Sequence, residues 1–489
     1  MTEQLIEKKV STGVPGLDKL LKGGLVSGRA YLVRGGPGNG KTTLGLHFLT
    51  ARPIEEKSLF ITLAEGEEQI RENAASLNIS LDDISVLDLS PNKKFFAESQ
   101  SYDIFSPAEV EREPIAQRIV DEVDAIKPHR VFMDSMTQLR YLSTDEFHFR
   151  KQVLSFLHFL SERGITVLFT SEGTESHPDD DLQFMADGVI NLNSTEYGRG
   201  INISKFRGSN FEAGRHSLRL TDSGMEVFPH LEPGFHSLWK EPEIISSGIT
   251  ELDELLKGGI HRGTINFFSG PSGVGKTTLG IQFMQEAAAR KERSVIYTFE
   301  EQEWTLIRRC ESINIPIHSM LENELLKIVQ VEPLQPSPDE FSHMVRREVE
   351  ENGTKLVMID SVAGYKMALK GRDLTASLHA LCKFLQNLGV TVILVNEAND
   401  IGGEMEASKE GISYVADNVI FLRYIERHAD QTVEIRKAIG VLKKRLTDFE
   451  KTLREFEITP EGIKVGAPLK GLSAIVSGTP KWIDRGNGS

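Results

Sequence analysis

One stretch of this chain is written twice. Ser11 to Gly45 reads STGVPGLDKLLKGGLVSGRAYLVRGGPGNGKTTLG, and Ser246 to Gly280 reads SSGITELDELLKGGIHRGTINFFSGPSGVGKTTLG. The copies align without a gap, about half of the paired residues are identical, and Lys41 and Lys276 stand 235 positions apart. Solenoid repeats recur every ~20–50 residues, so a period this long marks a duplicated domain. The 489 residues leave room for two domains with cores of their own. The joint falls at Leu231–Ile245, where Pro, Gly and charge mix before the second LDELLKGG. The expected domains are 1–235 and 236–489.

Short β-branched and aromatic runs alternate with helical stretches in both copies. The first has Ala30–Arg34, Ser58–Leu63, Arg130–Met133 and Thr166–Thr170; the second has Thr264–Ser269, Ser294–Phe299, Lys355–Ile359 and Thr391–Val395. Apolar runs of about five residues, each closed by a polar residue, suit strands of a parallel sheet covered on both faces. The fold class is therefore α/β, two tandem domains, each a mostly parallel sheet flanked by helices. Chemistry in such sheets gathers at the carboxyl ends of the strands.

Both repeats contain G-x4-G-K-T between a predicted strand and a predicted helix, the context that gives this motif its meaning. Its glycines let backbone N–H groups approach phosphates, and the helix N-terminus adds a positive dipole end. The first cradle is Gly38, Asn39, Gly40, Lys41, Thr42 and Thr43; the second is Gly273, Val274, Gly275, Lys276, Thr277 and Thr278. The lysine serves the β/γ-phosphates of ATP and the threonine hydroxyl ligates Mg²⁺. A partner acid for the metal is expected at a later strand end, and Asp134 and Asp360 close two of the apolar runs. Hydrolysis also needs a carboxylate to orient or deprotonate the nucleophile. Glu65 supplies one in the first copy; Glu300 and Glu301 form a pair in the second.

Composition narrows the alternatives. The chain carries 56 Lys and Arg against 71 Asp and Glu, a net charge of -15, which opposes non-specific nucleic-acid binding. No apolar run approaches the ~20 residues of a membrane span. Met1–Val10 mixes acids with lysines and lacks the apolar stretch of a secretory signal. Cys310 and Cys382 are too few for a disulfide framework or a zinc site, and a reducing compartment fits. A cytoplasmic protein with neither membrane nor nucleic-acid partner is expected.

The duplicated LDxLLKGG lead-in, the two cradles and the glutamate-bearing strand ends resemble the RecA-like ATPases, and within them the circadian-clock KaiC family. The likeness spans nearly the whole chain. It implies a homohexamer of two stacked rings with ATP between neighbouring subunits, an N-terminal ATPase ring, and a C-terminal ring that is a serine/threonine autokinase and autophosphatase. In the N-terminal copy Glu65 matches the second of the family's paired glutamates, and Ala64 replaces the first. Glu300 and Glu301 match the intact pair, with Glu300 as the kinase base. Lys205-Phe206-Arg207-Gly resembles the family's KxRG strand, which reaches the neighbour's nucleotide, and Thr221-Asp222 matches a stretch bordering that same nucleotide. Lys443 and Arg445 keep the basic positions, with Leu446 in place of the glycine.

The resemblance also aligns Ser413 and Tyr414 with the family's Ser-Thr phosphoacceptor pair. A tyrosine hydroxyl stands several ångströms farther from the backbone than a threonine's, so one attack geometry cannot serve both. Ser413 is the expected acceptor, with Tyr414 the alternative. The sequence stops at Ser489, short of the family's regulatory tail, so dependence on KaiA is not expected. A KaiB-like regulator on the N-terminal ring stays open. Two other function classes share these cradles. A RecA-like DNA-dependent ATPase is opposed by the negative charge and by the lack of a basic tract interleaved with aromatics. A nucleotide-gated scaffold would bind ATP without turnover.

Overall fold

The computed structural model describes residues 8–90, 112–141, 143, 145–172, 179–196, 198–231, 243–332, 335–368, 373–398, 412–429, 432–470, 472–473 and 481–482. The chain divides into two units, Met1–His230 and Leu231–Ser489. Each unit holds one nine-stranded sheet.

In the first unit the spatial order is Gly224–Phe228, His216–Thr221, Gly198–Phe206, Gly188–Thr195, Ala30–Arg34, Thr166–Ser171, Arg130–Asp134, Ser58–Thr62 and Ser85–Asp88. The last six of these run parallel, and the first three add on antiparallel. The second unit repeats the plan. Its order is Leu326–Gln330, Ser294–Thr298, Leu356–Asp360, Thr391–Glu397, Ile265–Gly270, Asn418–Ala429, Thr432–Lys444, Arg454–Thr459 and Gly462–Pro468. The strands expected from the apolar runs are the central strands of both sheets.

Alternation along each central strand feeds two cores. Tyr31 and Val33 pack into one cluster while Ala30 and Leu32 enter the cluster on the opposite face. Phe268 and Phe267 divide in the same way in the second unit. Among the described residues no helix is long and apolar enough to cross a membrane.

The cradle helices, Lys41–Thr50 and Lys276–Ala289, lie close on their sheets because a glycine faces the central strand in each. A Cβ at Gly45 would sit 2.1–2.4 Å from three ring carbons of fully buried Phe132. A Cβ at Gly280 would sit 2.3 Å from Met358 Sδ. Overpacking of this kind costs roughly 1–3 kcal/mol, beyond the ~1 kcal/mol that alanine gains over glycine as a helix former. Gly45→Ala should therefore lower the N-terminal unit's unfolding midpoint in calorimetry. An unchanged or higher midpoint would show that Phe132 yields without cost.

Candidate active sites

Each sheet opens a cleft at its carboxyl edge, of about 410 Å³ in the first unit and about 530 Å³ in the second. The cradle loop ends in a left-handed glycine that serves as helix N-cap, Gly40 at φ 95° and Gly275 at φ 117°. Such angles favour glycine. The space does so too: a Cβ on Gly40 would meet Leu220, and one on Gly275 would meet Ile458 and Phe456.

The cradle threonine and the strand-end aspartate meet in both units. Thr42 Oγ1 donates to Asp134 Oδ2 at 2.6 Å, and Thr277 Oγ1 donates to Asp360 Oδ2 at 2.6 Å. Thr170 Oγ1 donates to the other Asp134 oxygen at 2.5 Å. The peptide bond after each aspartate is cis. Lys41 Nζ donates to the carbonyls of Gly35 and Gly36, and Lys276 Nζ to those of Gly270 and Pro271, all within 2.7–3.1 Å. Burial pulls both lysines below their ordinary pKa. Glu172 and Asp134 oppose this for Lys41; Glu397, Asp360 and Glu300 oppose it for Lys276.

The remaining cradle residues and the glutamates fall in the same two clefts. Gly38, Asn39 and Thr43 line the first, where Asn39 Nδ2 also donates to Leu192 O at 3.1 Å. Glu65 lines it beside Ala64, with Asn73 Nδ2 donating to Glu65 Oε2 at 3.3 Å. Gly273 and Thr278 line the second cleft with Glu300 and Glu301. Ser361 Oγ donates to Glu300 Oε1 at 2.7 Å, while Arg309 Nη2 lies 2.9 Å from Glu301 Oε2. The side chain of Val274 is instead buried in the core, so only its backbone is left to face a ligand.

The basic strand residues stand elsewhere. Phe206 pairs with Gly188, which pairs with Tyr31 near the start of its strand, so Lys205-Phe206-Arg207 ends at the sheet's amino edge. Its own cradle begins at the opposite end of the Ala30–Arg34 strand, about 15 Å away at ~3.3 Å per residue. Lys205 Nζ is bonded to the carbonyls of Gln183 and Phe184, and Arg207 stands 3.7 Å from Asp187, largely exposed. The ring of Phe206 turns inward onto Tyr31, which confines any ligand contact there to the backbone. The second unit repeats this placement: Lys443 Nζ donates to Ala416 O at 2.6 Å, and Arg445 pairs with Asp417 at 3.0 Å.

Thr221-Asp222 lies at the other edge of the sheet. The His216–Thr221 strand runs back toward the carboxyl edge, and Leu220 lines the cleft of its own chain. The turn thus stands at the carboxyl edge, opposite the edge that bears Lys205 and Arg207. Tyr414 lies in the Ile412–Val415 helix, which enters the Asn418–Ala429 strand at the amino edge, and the residue is 74% exposed. The side chain of Ser413 and the tail from Ala474 to Ser489, apart from Lys481–Trp482, lie outside the described residues.

Sequence reasoning missed several cleft residues. Glu172 and Glu397 stand just past the fourth aligned pair of apolar runs and line their clefts, so the comparison that found Asp134 and Asp360 could have found them. Arg309 and Lys437 reach the second cleft from a helix and from the antiparallel extension, with no motif to mark them.

A phosphate cradle between strand and helix, with a threonine–aspartate pair at adjoining strand ends, occurs twice on parallel sheets. That combination defines a tandem RecA-like P-loop ATPase. The sequence profile of the KaiC ATPase family matches residues 10–232 and 245–470, and the chain belongs to that family. It is similar to the circadian clock oscillator protein KaiC of Synechococcus elongatus, 26% identical over 97% of this chain and 92% of the relative. It resembles KaiC of Parasynechococcus marenigrum at 26% over 98% and 94%, and the circadian clock protein KaiC3 of a Synechocystis strain at 26% over 97% and 95%.

Burial, the largest influence, pushes the Asp360 carboxyl above its ordinary pKa, against the Thr277 hydrogen bond and the charge of Arg309. A carboxyl raised in the folded state opposes folding while ionised; the penalty holds above the folded pKa and disappears as the pH falls through it. Asp360→Asn removes the charge and keeps an oxygen for Thr277. The nucleotide-free variant should melt higher than the parent at pH 7, with the gap closing as the pH is lowered. A lower melting point at pH 7 would contradict this.

Proposed function

We propose that this chain is a Mg²⁺-dependent ATPase that assembles into homohexameric rings, with ATP held between neighbouring protomers. Its C-terminal domain is a serine/threonine autokinase, and the whole serves a timing or signalling role. The observation that carries the reading is the opposition of edges in both units. The cradle opens at the carboxyl edge, and the Lys-x-Arg pair stands at the amino edge, where it is out of reach of its own chain's cleft. A second copy bringing its amino edge to that cleft would supply cations to developing phosphate charge, as an arginine finger does. The clock proteins to which the chain is similar favour the timing role.

The oxygen donors suit magnesium. Thr42 with Asp134, and Thr277 with Asp360, offer one hydroxyl and one carboxylate each, and Mg²⁺ is held by one or two carboxylates together with substrate phosphates. When bound, the ion neutralises charge on the β- and γ-phosphates. The cradle backbone and its lysine bind and orient the triphosphate. Glu65 orients water in the N-terminal cleft, and Glu300 takes the proton of the acceptor hydroxyl in the C-terminal one. Ser413 is the acceptor, with Tyr414 as alternative; the helix they share stands at the amino edge, so a neighbour's cleft is the one that could reach it.

Two outcomes test this. Arg207→Ala and Lys41→Ala should each lower N-terminal turnover by up to about 10³-fold, and mixing the two chains should restore part of it, since one contributes an intact cradle and the other intact cations. Mixing without recovery, with both variants folded, would exclude a site built from two chains. Peptide mass spectrometry after incubation with Mg·ATP should find phosphate on Ser413 or Tyr414, and Glu300→Gln should slow its appearance by about 10²–10⁴-fold. Full phosphorylation of the Gln variant at the parent rate would remove Glu300 from the role.

A further inference from the structure

Besides Ala64 against Glu300, the two clefts differ at a further position that the repeat places in register. Eight residues beyond Glu65 stands Asn73, and eight residues beyond Glu301 stands Arg309. Both positions lie on the helix that follows the glutamate-bearing strand, Glu67–Ser76 in one unit and Glu303–Glu311 in the other. Both side chains turn back to the aligned glutamate, Asn73 as a neutral donor at 3.3 Å and Arg309 as a cation at 2.9 Å.

The Arg309–Glu301 contact is held by charge rather than by direction. Nη2 approaches Oε2 closely, yet neither it nor Nε makes an aligned hydrogen bond, although both atoms are buried. The neighbouring carboxylate is held differently, through the Ser361 hydroxyl on Glu300 Oε1 at 2.7 Å. Arg309 also lines the cleft itself, and its charge is felt at Asp360. Two adjacent carboxylates are therefore fixed by unlike partners, one by a full positive charge and one by a neutral hydroxyl. The Glu301 carboxylate is thus committed to the guanidinium, whereas Glu300 is held only through a hydroxyl. In the first unit the position aligned with Glu300 is Ala64, so its neutral Asn73 leaves Glu65 available for the same work.

We infer that Arg309 is a positioning residue: its charge holds the Glu301 carboxylate aside and leaves Glu300 as the group that receives the proton. This rests on the reading of the C-terminal cleft as a catalytic site. The contact is charge-held, so lysine at this position should preserve the function and glutamine, though polar and of similar reach, should not.

The test uses the full chain with Mg·ATP, taking the turnover abolished by Lys276→Ala as the C-terminal share. Arg309→Gln should cut the kcat of that share by about 10-fold with KM for ATP unchanged, whereas Arg309→Lys should stay within about threefold of the parent. The double variant Glu301→Gln/Arg309→Gln should be no slower than Glu301→Gln alone, since residues acting through one contact do not add. Additive losses, a change confined to KM, or equal loss in the Lys and Gln variants would each overturn the role. Should Lys276→Ala remove no turnover, the catalytic reading of the cleft fails and Arg309's role falls with it. Should Lys276→Ala remove turnover that Arg309→Gln leaves intact, only the positioning role is overturned.

Discussion

The hydrogen bond between the first helical threonine of the cradle and the aspartate ending a neighbouring strand joins everything else in each unit. It closes at 2.6 Å in both copies, and it forms only if the helix lies almost on the sheet. Gly45 against Phe132 and Gly280 against Met358 permit that approach. A left-handed glycine must then turn the chain from strand to helix within a few residues, and Gly40 and Gly275 do so. Helix axis, loop curvature and strand-end carboxylate are thus set by one short contact, which explains why the repeat is most strictly kept where they meet.

The clefts built on this frame are chemically unequal. The first offers Glu65 beside Ala64, and the second offers Glu300 and Glu301 with Arg309 and Lys437 added. The second cleft is larger and more charged, with two adjacent carboxylates in distinct surroundings where the first has Glu65 beside an alanine. Duplication supplied one frame, and divergence at a few strand-end and helix positions supplied the difference between the clefts.

Much of this was legible in the sequence, because it is local. The cradles, the central strands and the strand-end aspartates are short patterns with fixed spacing, and the internal repeat let each copy check the other. Two of the missed residues, Lys437 and Arg309, depend on tertiary placement. Lys437 reaches Gly273 only because the Asn418–Ala429 and Thr432–Lys444 strands overhang the cradle. Arg309 occupies an ordinary helical position until the helix is docked. Phe206 and Val274 sit inside motifs yet point into the core, because a strand alternates its faces and a loop must also anchor itself.

The placement of cradle and cations on opposite edges also restricts how copies of this chain can join. A two-fold pair buries the same patch on both molecules, and these are two different patches facing away from each other. Association through them must run head to tail, each copy presenting one face and receiving the other. Such an arrangement leaves two unsatisfied ends, which a ring removes where the rotation between copies closes and a filament keeps where it does not.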